Sequence, residues 1–282
     1  MTQTATSGRS DGPAPWTPPG SAWLFCPADR PERYAKAAAA ADVVILDLED
    51  GVGPDDKVAA RRALIENPLD PEHTVVRVNA AGTPDQALDL AALSQTRYPR
   101  VMLPKCESAE QVRSLAPREV VVLVESPLGA LVVAEAAQVA NAVGVMWGAE
   151  DLVAALGGNS SRWADGSYRD VARHVRSASL LAAKAHGRFA LDSVYLDLED
   201  LGGLREETLD AVAVGFDAKV AIHPRQVEVI RDAYAPTADE TGWAQRVLAE
   251  SVHQRGVFAF EGRMVDAPLL RHAERIVRRA GN

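Results

Sequence analysis

The chain has 282 residues, of which 47% are hydrophobic and 24% charged, and its formal net charge is −9. This length and composition suffice for a sizeable core, in one large domain or two small ones. The acidic balance argues against a general nucleic-acid-binding or acidic-membrane surface, although a local basic groove for an anionic ligand is compatible with it. The sequence has no run of 18 apolar residues, so we expect no membrane span.

Both the cysteines and the first residues bear on the compartment. Cys26 and Cys106 stand far apart and form no C-x-x-C pair, so the sequence does not support a zinc knuckle. Two cysteines in a chain of this length suit a reducing cytoplasm, where we expect the protein to reside. Residues 1–20 are rich in Thr, Ser, Gly and Pro and lack the apolar core of a signal peptide. We interpret them as a disordered tail.

Eight short apolar runs recur along the chain, and a longer Ala-rich amphipathic segment follows each of them. The runs are AWLFCP (22–27), VVILDLE (43–49), TVVRVN (74–79), RVMLPK (100–105), VVVLVES (120–126), VGVMWG (143–148), FALDSVYLD (189–197) and AKVAIHP (218–224). Continuous apolar runs are typical of parallel strands buried on both faces. Eight such strand–helix units predict an α/β fold, a TIM (β/α)8 barrel over residues 21–236.

An open doubly wound sheet is the rival arrangement of these units. We disfavour it because no G-x-G-x-x-G follows the first run and because eight units close a barrel. Residues 237–282 lie outside the eight units. They contain two helical segments, TGWAQRVLAESVHQRG and LLRHAERIVRRA, joined by VFAFEGRMVDAP. We therefore expect a C-terminal helical extension after the barrel.

The pentapeptide LDLED occurs twice, at 46–50 and at 196–200. A duplicated half-barrel would separate matching strands by four units, whereas these copies fall on the second and seventh predicted strands. We interpret them as two strand-to-loop exits of similar composition and not as an internal repeat.

Charged and polar residues stand at the carboxyl ends of most apolar runs. They are Asp47, Glu49, Asp50, Arg77, Asn79, Lys105, Glu125, Glu150, Asp151 and His223. Active sites of TIM barrels form at this end of the strands. Burying a charge is costly unless it is paired or bound to a metal, so we expect this ring of residues to form a functional site.

Glu125 and Asp151 are the best candidates for metal ligands. They end neighbouring strands, and two carboxylates with water and substrate oxygens suit Mg²⁺. The alternative for Asp151 is a helix N-cap before LVAAL, whereas Glu125 has no capping duty at the end of a Val-rich strand. We expect Glu150 to shape the loop or to start the following helix.

Arg77 and Lys105 each have two interpretations. Arg77 could bind a carboxylate or stabilise an oxyanion, or it could form a structural ion pair with Asp47 or Glu49. Lys105 could form a Schiff base in a metal-free aldolase, but we favour neutralisation of Glu49. We expect His223 to be a structural hydrogen-bonding residue, and the scattered histidines do not predict a zinc site.

The motifs at the strand ends also resemble a known family. They are WLFCPADRPER, VVILDLEDGV, VVRVN, VMLPKCES, LVESPLG, MWGAEDL, LDSVYLDLED, VGFDAKVAIHPRQ and FAFEGRMVDAP. Together, and in this order, they resemble the citrate lyase beta subunit-like proteins of the HpcH/HpaI aldolase group, whose relatives include citramalyl-CoA and malyl-CoA lyases. The resemblance extends from residue 21 to about residue 276.

The resemblance implies roles for particular residues. Glu125 in LVES and Asp151 in GAED match the family's Mg²⁺ ligands, and Arg77 in VVRVN matches its catalytic, substrate-binding arginine. Asp266 in EGRMVDAP matches a catalytic aspartate that enters the active site of a neighbouring subunit. This match implies that the C-terminal extension is a lid exchanged between subunits of a homotrimer or a dimer of trimers.

The resemblance also implies a reaction. The expected activity is Mg²⁺-dependent cleavage of a 3-hydroxyacyl-CoA, of the citramalyl-, malyl- or 3-hydroxy-3-methylglutaryl-CoA type, to acetyl-CoA and an oxo acid. An alternative is a citryl-lyase subunit of a multi-subunit citrate lyase that needs an acyl-carrier partner. For the phosphates of coenzyme A we propose Arg30, with Arg33 beside it, against helix capping and surface pairing as the alternative roles.

Overall fold

Eight parallel strands close into a barrel in chain order, and β1 pairs with both β2 and β8. The structure, a computed structural model, describes residues 16–281. The strands are β1 Ala22–Pro27, β2 Val43–Asp47, β3 Thr74–Arg77, β4 Arg100–Leu103, β5 Glu119–Val124, β6 Ala142–Trp147, β7 Phe189–Asp192 and β8 Ala218–Ala221. The prediction of a TIM barrel is therefore confirmed.

The predicted strands begin where the observed ones do, to within one residue, but most of them are too long. The largest error is the run over 189–197, because β7 ends at Asp192. Apolar composition does not mark the point where a strand leaves the hydrogen-bonded ladder, and element boundaries are the weakest part of such predictions. The residues beyond the strands belong to the loops at the barrel mouth.

Helices surround the barrel and follow the strands. They are α1 Tyr34–Ala40, α2 Lys57–Glu66, α3 Pro84–Leu93, α4 Ala109–Arg113, α5 Pro127–Gln138, α6 Ala149–Ala155, α7 Asp170–Ala185, α8 Leu201–Val214 and α9 Pro224–Tyr234. Several begin at a capping side chain: Ser126 Oγ, for example, accepts a hydrogen bond from Gly129 N at 3.1 Å at the start of α5. Caps of this kind satisfy the free N–H groups of the first helical turn.

Two apolar layers result from the alternation of side chains along each strand. In β2, Val43 and Ile45 join a cluster of buried residues contributed by the strands, whereas Val44 and Leu46 join the larger cluster that includes helix residues. Successive residues of a strand face opposite sides of the sheet, so the first cluster fills the barrel and the second lies beneath the helices. The barrel is therefore a packed core, and only its mouth is available for a site.

The C-terminal extension has a small core of its own. Helices α10 Ala238–Ser251 and α11 Ala267–Ala280 flank an antiparallel hairpin, β9 Phe258–Phe260 and β10 Arg263–Val265. The predicted helices are present, and the predicted link between them is this hairpin. Its turn contains two positive φ angles, 45° at Glu261 and 77° at Gly262, which suit a tight hairpin turn. Five buried side chains hold the unit together: Ala244, Val247, Val265, Ala273 and Ile276.

The amino-terminal segment meets the barrel at Trp16. Its ring lies 5.9 Å from that of Trp23 and 5.6 Å from that of Phe189, and the Arg100 guanidinium lies 4.2 Å from its centroid. Most of the predicted tail, residues 1–15, lies outside the described residues. Among residues 16–281, no helix combines the length and the apolar character that crossing a membrane requires.

Candidate active site at the barrel mouth

Arg77 is anchored at the end of β3 by carboxylates from β2 and the loop after it. Asp47 and Arg77 face each other in the sheet register. Arg77 Nε and Nη2 donate to the two Asp47 oxygens at 2.7 and 2.6 Å, and Nη1 lies 3.0 Å from Glu49 Oε2. Burial lowers the pKa of Arg77, but its hydrogen bonds and ion pairs outweigh this effect and hold the pKa above its usual value. The predicted structural ion pair is thus present, and substrate binding by the same guanidinium stays a prediction.

Asp47 fixes both Arg77 and the loop that follows β2. Its two oxygens also accept hydrogen bonds from the backbone N–H groups of Glu49 at 2.9 Å and Gly51 at 2.8 Å. A Cβ on Gly51 would lie 2.3 Å from Asp47 Oδ2, so only glycine allows this approach. The guanidinium of Arg77 is therefore held in one orientation, as a binding residue requires.

Lys105 lies among four carboxylates. Its Nζ is 2.6 Å from Glu49 Oε1 and 3.1 Å from Asp50 Oδ2. The same atom is 3.6 Å from Asp151 Oδ1 and 3.8 Å from Glu125 Oε1. Burial lowers the pKa of Lys105, but the hydrogen bond to Glu49 and the surrounding carboxylates outweigh this effect. The pKa of Lys105 is therefore above its usual value. The predicted neutralisation of Glu49 is confirmed.

Glu125 is buried at the end of β5, with an exposed fraction of 3%. Its Oε1 accepts a hydrogen bond from the backbone N–H of Lys105 at 3.0 Å. A Cβ on Gly148 would come within 2.9 Å of Oε2, so the glycine after β6 leaves room for this carboxylate. Burial raises the pKa of Glu125 to about 8, because Lys105 and Arg77 only partly offset burial and the Asp151 and Glu49 carboxylates. The mouth therefore holds a buried carboxylate whose negative charge is incompletely balanced.

Asp151 lies in the first turn of α6, whose N-cap residue is Gly148. The helix begins before Asp151, so a capping role for this side chain is excluded, and its carboxylate faces Lys105 instead. Glu150 also lies in this turn, and its Oε1 accepts a hydrogen bond from Ser161 Oγ at 2.6 Å. The two acids thus have separate roles, with Glu150 holding the loop and Asp151 facing the site.

The composition of this cluster suits a hard cation. Five carboxylates meet two cationic side chains: Asp47, Glu49, Asp50, Glu125 and Asp151 against Arg77 and Lys105. Among residues 16–281, no three His, Cys, Asp or Glu side chains converge into a closed metal cage. Mg²⁺ does not need such a cage, because it is held by one or two carboxylates and keeps several waters. Glu125 and Asp151, which both lie within 4 Å of the same ammonium group, fit this ion.

Comparison with known proteins identifies the group to which this barrel belongs. The model of the HpcH/HpaI aldolase/citrate lyase family matches residues 21–224. The chain belongs to the HpcH/HpaI aldolase/citrate lyase family. It is 65% identical to the citrate lyase subunit beta-like protein of Mycobacterium tuberculosis, over 93% of this chain and 96% of the relative. It is 31% identical to human mitochondrial citramalyl-CoA lyase, over 92% of this chain and 85% of that one.

A solved structure of this family is also very similar. The M. tuberculosis protein CitE, in complex with magnesium, acetoacetate and coenzyme A, matches with a TM-score of 0.90 and 65% identity. The match covers 93% of this chain and 98% of that one. The family membership expected from the strand-end motifs is therefore confirmed.

Two predicted site residues of this family member do not join the mouth cluster within one chain. Asp266 is the N-cap of α11, where its Oδ1 accepts a hydrogen bond from Leu269 N at 3.1 Å. Arg30 follows β1, and its side chain is 55% exposed and lies 3.5 Å from Asp29. Neither side chain has a hydrogen bond or ion pair with Glu125 or Asp151 in the described part of the chain. Their roles in the family's reaction stay predictions.

Two supporting features of the family site escape the sequence analysis. The Phe25 ring packs against the Arg77 guanidinium, 4.7 Å from its carbon to the ring centroid. Lys57 Nζ, from α2, donates to the carbonyl oxygens of Leu48 and Glu49 at 2.6 and 2.7 Å and to Asn79 Oδ1 at 2.9 Å. Lys57 therefore fixes the loop after β2, and its only signal in the sequence is its position soon after that loop.

His223 is a structural residue, as expected. Its Nδ1 accepts a hydrogen bond from Arg225 N at 3.1 Å at the start of α9. Cys26 is buried, and burial raises the pKa of its thiol to about 11. A thiol with so high a pKa is a poor nucleophile at neutral pH. Neither residue competes with the acidic cluster as the centre of chemistry.

Proposed function

We propose that this protein is a Mg²⁺-dependent carbon–carbon lyase acting on a 3-hydroxyacyl-CoA. The substrate is of the citramalyl-, malyl- or 3-hydroxy-3-methylglutaryl-CoA type, and the products are acetyl-CoA and an oxo acid. The observation that carries this proposal is the pair of carboxylates, Glu125 and Asp151, that both lie within 4 Å of the Lys105 ammonium, in the same acidic cluster as the anchored Arg77. The names of the relatives, a citramalyl-CoA lyase and a protein solved with magnesium and coenzyme A, support it.

Glu125 and Asp151 would hold the metal. When bound there, Mg²⁺ would supply Lewis-acid catalysis that makes the substrate hydroxyl more acidic. The Arg77 guanidinium would bind the same end of the substrate and stabilise the negative charge that develops on its oxygen. Because Asp47 and Glu49 fix the guanidinium in advance, no reorganisation is needed during the reaction.

Asp266 completes the reaction in this proposal. Loss of the hydroxyl proton to solvent water and cleavage of the adjacent carbon–carbon bond turn the hydroxyl-bearing carbon into the carbonyl of the oxo acid, and the electron pair of the broken bond remains on the enolate of acetyl-CoA. Protonation of that carbon needs a general acid, and we assign this role to Asp266 of a neighbouring subunit. Its place on the separate C-terminal unit supports the assignment, together with a homotrimer or dimer of trimers in which that unit closes a neighbour's mouth.

Arg30 and Arg33 are our candidates for binding the phosphates of coenzyme A. They lie in the loop after β1, on the mouth side of the barrel, and their side chains are 55% and 62% exposed. A guanidinium group can donate to two phosphate oxygens at once, which suits this task. We propose a cytoplasmic location, because both cysteines are free and coenzyme A esters are used inside cells.

The two alternative activities are less well supported. A Schiff-base aldolase needs a neutral amine, whereas the acids around Lys105 hold its pKa above the usual value. A subunit that works only with an acyl-carrier partner would show no activity on free CoA esters. The similar M. tuberculosis protein was solved with coenzyme A, which favours the free ester as the substrate.

The direct test is mass spectrometry of the purified protein with a panel of 3-hydroxyacyl-CoA esters, in Mg²⁺ and in EDTA. We expect release of acetyl-CoA from at least one ester in Mg²⁺, loss of this activity in EDTA, and recovery when Mg²⁺ is added back. Turnover that persists in EDTA and is trapped by borohydride would instead establish the Schiff-base reaction. Absence of turnover with every ester would favour the carrier-dependent subunit.

A further inference from the structure

Lys105 has an unusual backbone conformation, with a φ angle of 48°. In the described part of the chain, it shares positive φ with just one other non-glycine residue, Glu261 in the hairpin turn. This region is unfavourable for residues with a Cβ, and such strain is concentrated at functional sites. The contacts of Lys105 should therefore explain why this lysine adopts a positive φ angle.

The conformation lets one residue serve the site at two points. The backbone N–H of Lys105 donates to Glu125 Oε1, while its ammonium group reaches Glu49 Oε1 at 2.6 Å. The ammonium is also within 4 Å of a carboxylate oxygen of Asp50, Asp151 and Glu125. Lys105 thus orients Glu125 through its backbone and places its positive charge within 4 Å of both proposed metal ligands.

The surroundings of Lys105 are open enough for exchange with solvent ions. The Lys105 and Asp151 side chains are 35% and 42% exposed, whereas those of Glu125 and Glu49 are 3% and 7% exposed. Solvent and its ions therefore reach the ammonium group and the Asp151 carboxylate, whereas Glu125 is buried. The flexible stem of a lysine also allows the ammonium to withdraw toward Glu49 and Asp50, which it contacts more closely.

We propose that Lys105 is a built-in counter-ion that competes with Mg²⁺ for Glu125 and Asp151 and so sets the metal affinity of the site. This inference rests on the proposed function, because it takes these two residues as the metal ligands. An ammonium and a divalent cation attract the same oxygen atoms and repel each other. Lys105 is accordingly a positioning residue that holds the acidic cluster together without metal.

The test is calorimetric titration of the purified wild-type protein and its Lys105 variants with MgCl₂. Lys105→Met removes the charge but keeps the length of the side chain, and we expect it to bind Mg²⁺ at least about tenfold more tightly than the wild type. Lys105→Arg keeps the charge, and we expect its affinity to lie within about threefold of the wild type. In EDTA, Lys105→Met should melt at a lower temperature than the wild type, and Mg²⁺ should raise its melting temperature more.

Lys57→Met is the matched control for these variants. Lys57 fixes the same loop, but its Nζ donates to two carbonyl oxygens and an amide oxygen and, among residues 16–281, to no carboxylate. We expect this substitution to lower the melting temperature while leaving Mg²⁺ affinity within about threefold of the wild type. If Lys105→Met does not yield folded protein, Lys105→Gln provides the same neutral test with a more polar side chain.

The possible outcomes separate this inference from the proposed function. Equal or weaker Mg²⁺ binding by the neutral Lys105 variants would overturn the inference while leaving the metal site in place. A wild-type protein that binds no Mg²⁺, or that binds it as tightly after Glu125→Gln, would overturn the metal site and the inference together. If Lys57→Met raised the Mg²⁺ affinity as much as Lys105→Met does, the cause would be a general disordering of the loop. That result would also overturn the inference.

Discussion

Two buried carboxylates, Glu125 and Asp192, differ in how far the surrounding cations balance their negative charge. Asp192, between the barrel and α7, accepts hydrogen bonds from Trp147 Nε1 at 2.8 Å, Arg176 Nε at 3.0 Å and Lys219 Nζ at 3.0 Å. These partners outweigh its burial and lower the pKa of Asp192 to about 2. Glu125 is nearly as buried, yet its pKa is raised to about 8.

This difference separates a carboxylate that stabilises the fold from one that is available for binding. The charges around Asp192 satisfy it within the chain, so nothing further is needed there. The cations near Glu125 are shared with Asp47, Glu49, Asp50 and Asp151, which leaves an excess of negative charge. A buried group with an incompletely balanced charge in a barrel mouth is typical of a functional site.

The largest effect should follow from removing the charge of Asp192. Asp192→Asn leaves the fully buried Lys219 with Glu207, 2.8 Å from its Nζ, as its remaining carboxylate, and we expect a loss of about 2–3 kcal/mol in the free energy of unfolding. Urea denaturation at neutral pH measures this loss. The exposed pair of Arg62 and Glu66 is the control, since Glu66→Gln should cost less than about 0.5 kcal/mol. If Asp192→Asn lost as little stability as Glu66→Gln, Asp192 would not be the stabilising carboxylate that distinguishes it from Glu125.

This stabilisation by Asp192 has a defined pH dependence. Its pKa is lower in the folded protein than in the unfolded chain, so its contribution is complete above the unfolded pKa of about 4. The contribution decreases as the pH falls below that value and is lost as the pH passes through about 2. The stability difference between the wild type and Asp192→Asn should therefore shrink in acid.

Removing either proposed metal ligand should affect activity more than stability. Glu125→Gln and Asp151→Asn should each lower the rate of acetyl-CoA release by about 10²-fold or more, the scale of losing a principal electrostatic element. Steady-state kinetics at saturating Mg²⁺ measure the effect, and circular dichroism verifies the fold. Full activity of either folded variant would contradict the assignment of that ligand.

Mixed oligomers test whether Asp266 acts on a neighbouring subunit. Arg77→Ala and Asp266→Ala should each be nearly inactive alone. In mixed oligomers, some sites combine an intact Arg77 with an intact Asp266 from another chain, and activity should rise to roughly tenfold above either parent. Differently tagged chains purified in two steps provide the mixed species. Mixed oligomers no more active than the parents would favour action within one chain.

Glu125→Gln should also stabilise the metal-free protein, in contrast to Asp192→Asn. The folded protein holds the pKa of Glu125 above its unfolded value, so ionisation of Glu125 costs folding free energy as the pH rises from about 4.5 to about 8. The glutamine carries no charge, so in EDTA at pH 9 it should raise the free energy of unfolding by about 1–2 kcal/mol. At pH 5 the difference should nearly vanish. A lower free energy of unfolding for Glu125→Gln at pH 9 would show that the nearby cations fully balance the Glu125 carboxylate.

The sequence predicts the architecture and the ring of strand-end residues well, because both follow from patterns along the chain. Partners far apart in the chain are harder to predict. Lys219 reads as one residue of an apolar strand, and nothing in the pattern shows that it meets Asp192, 27 residues earlier. The four carboxylates around Lys105 likewise come from three separate strand ends.

The two copies of LDLED also show that a short sequence motif does not determine the role of its residues. In the first copy, Asp47 and Glu49 are 3% and 5% exposed and hold Arg77 at the mouth. The second copy lies in the exposed connection after β7, where Leu196 is 53% exposed and Asp200 caps α8. Identical residues thus have different roles, because the surrounding chain decides which carboxylates are buried.

The most direct test of the metal site is a crystal of the wild-type protein soaked in MnCl₂ and measured at the manganese edge. Mn²⁺ accepts the oxygen ligands that Mg²⁺ uses and gives an anomalous signal that identifies it. We expect an anomalous peak bonded to the carboxylates of Glu125 and Asp151, with Lys105 Nζ displaced toward Glu49. A well-diffracting soaked crystal with an open mouth and no peak between those two carboxylates would contradict it.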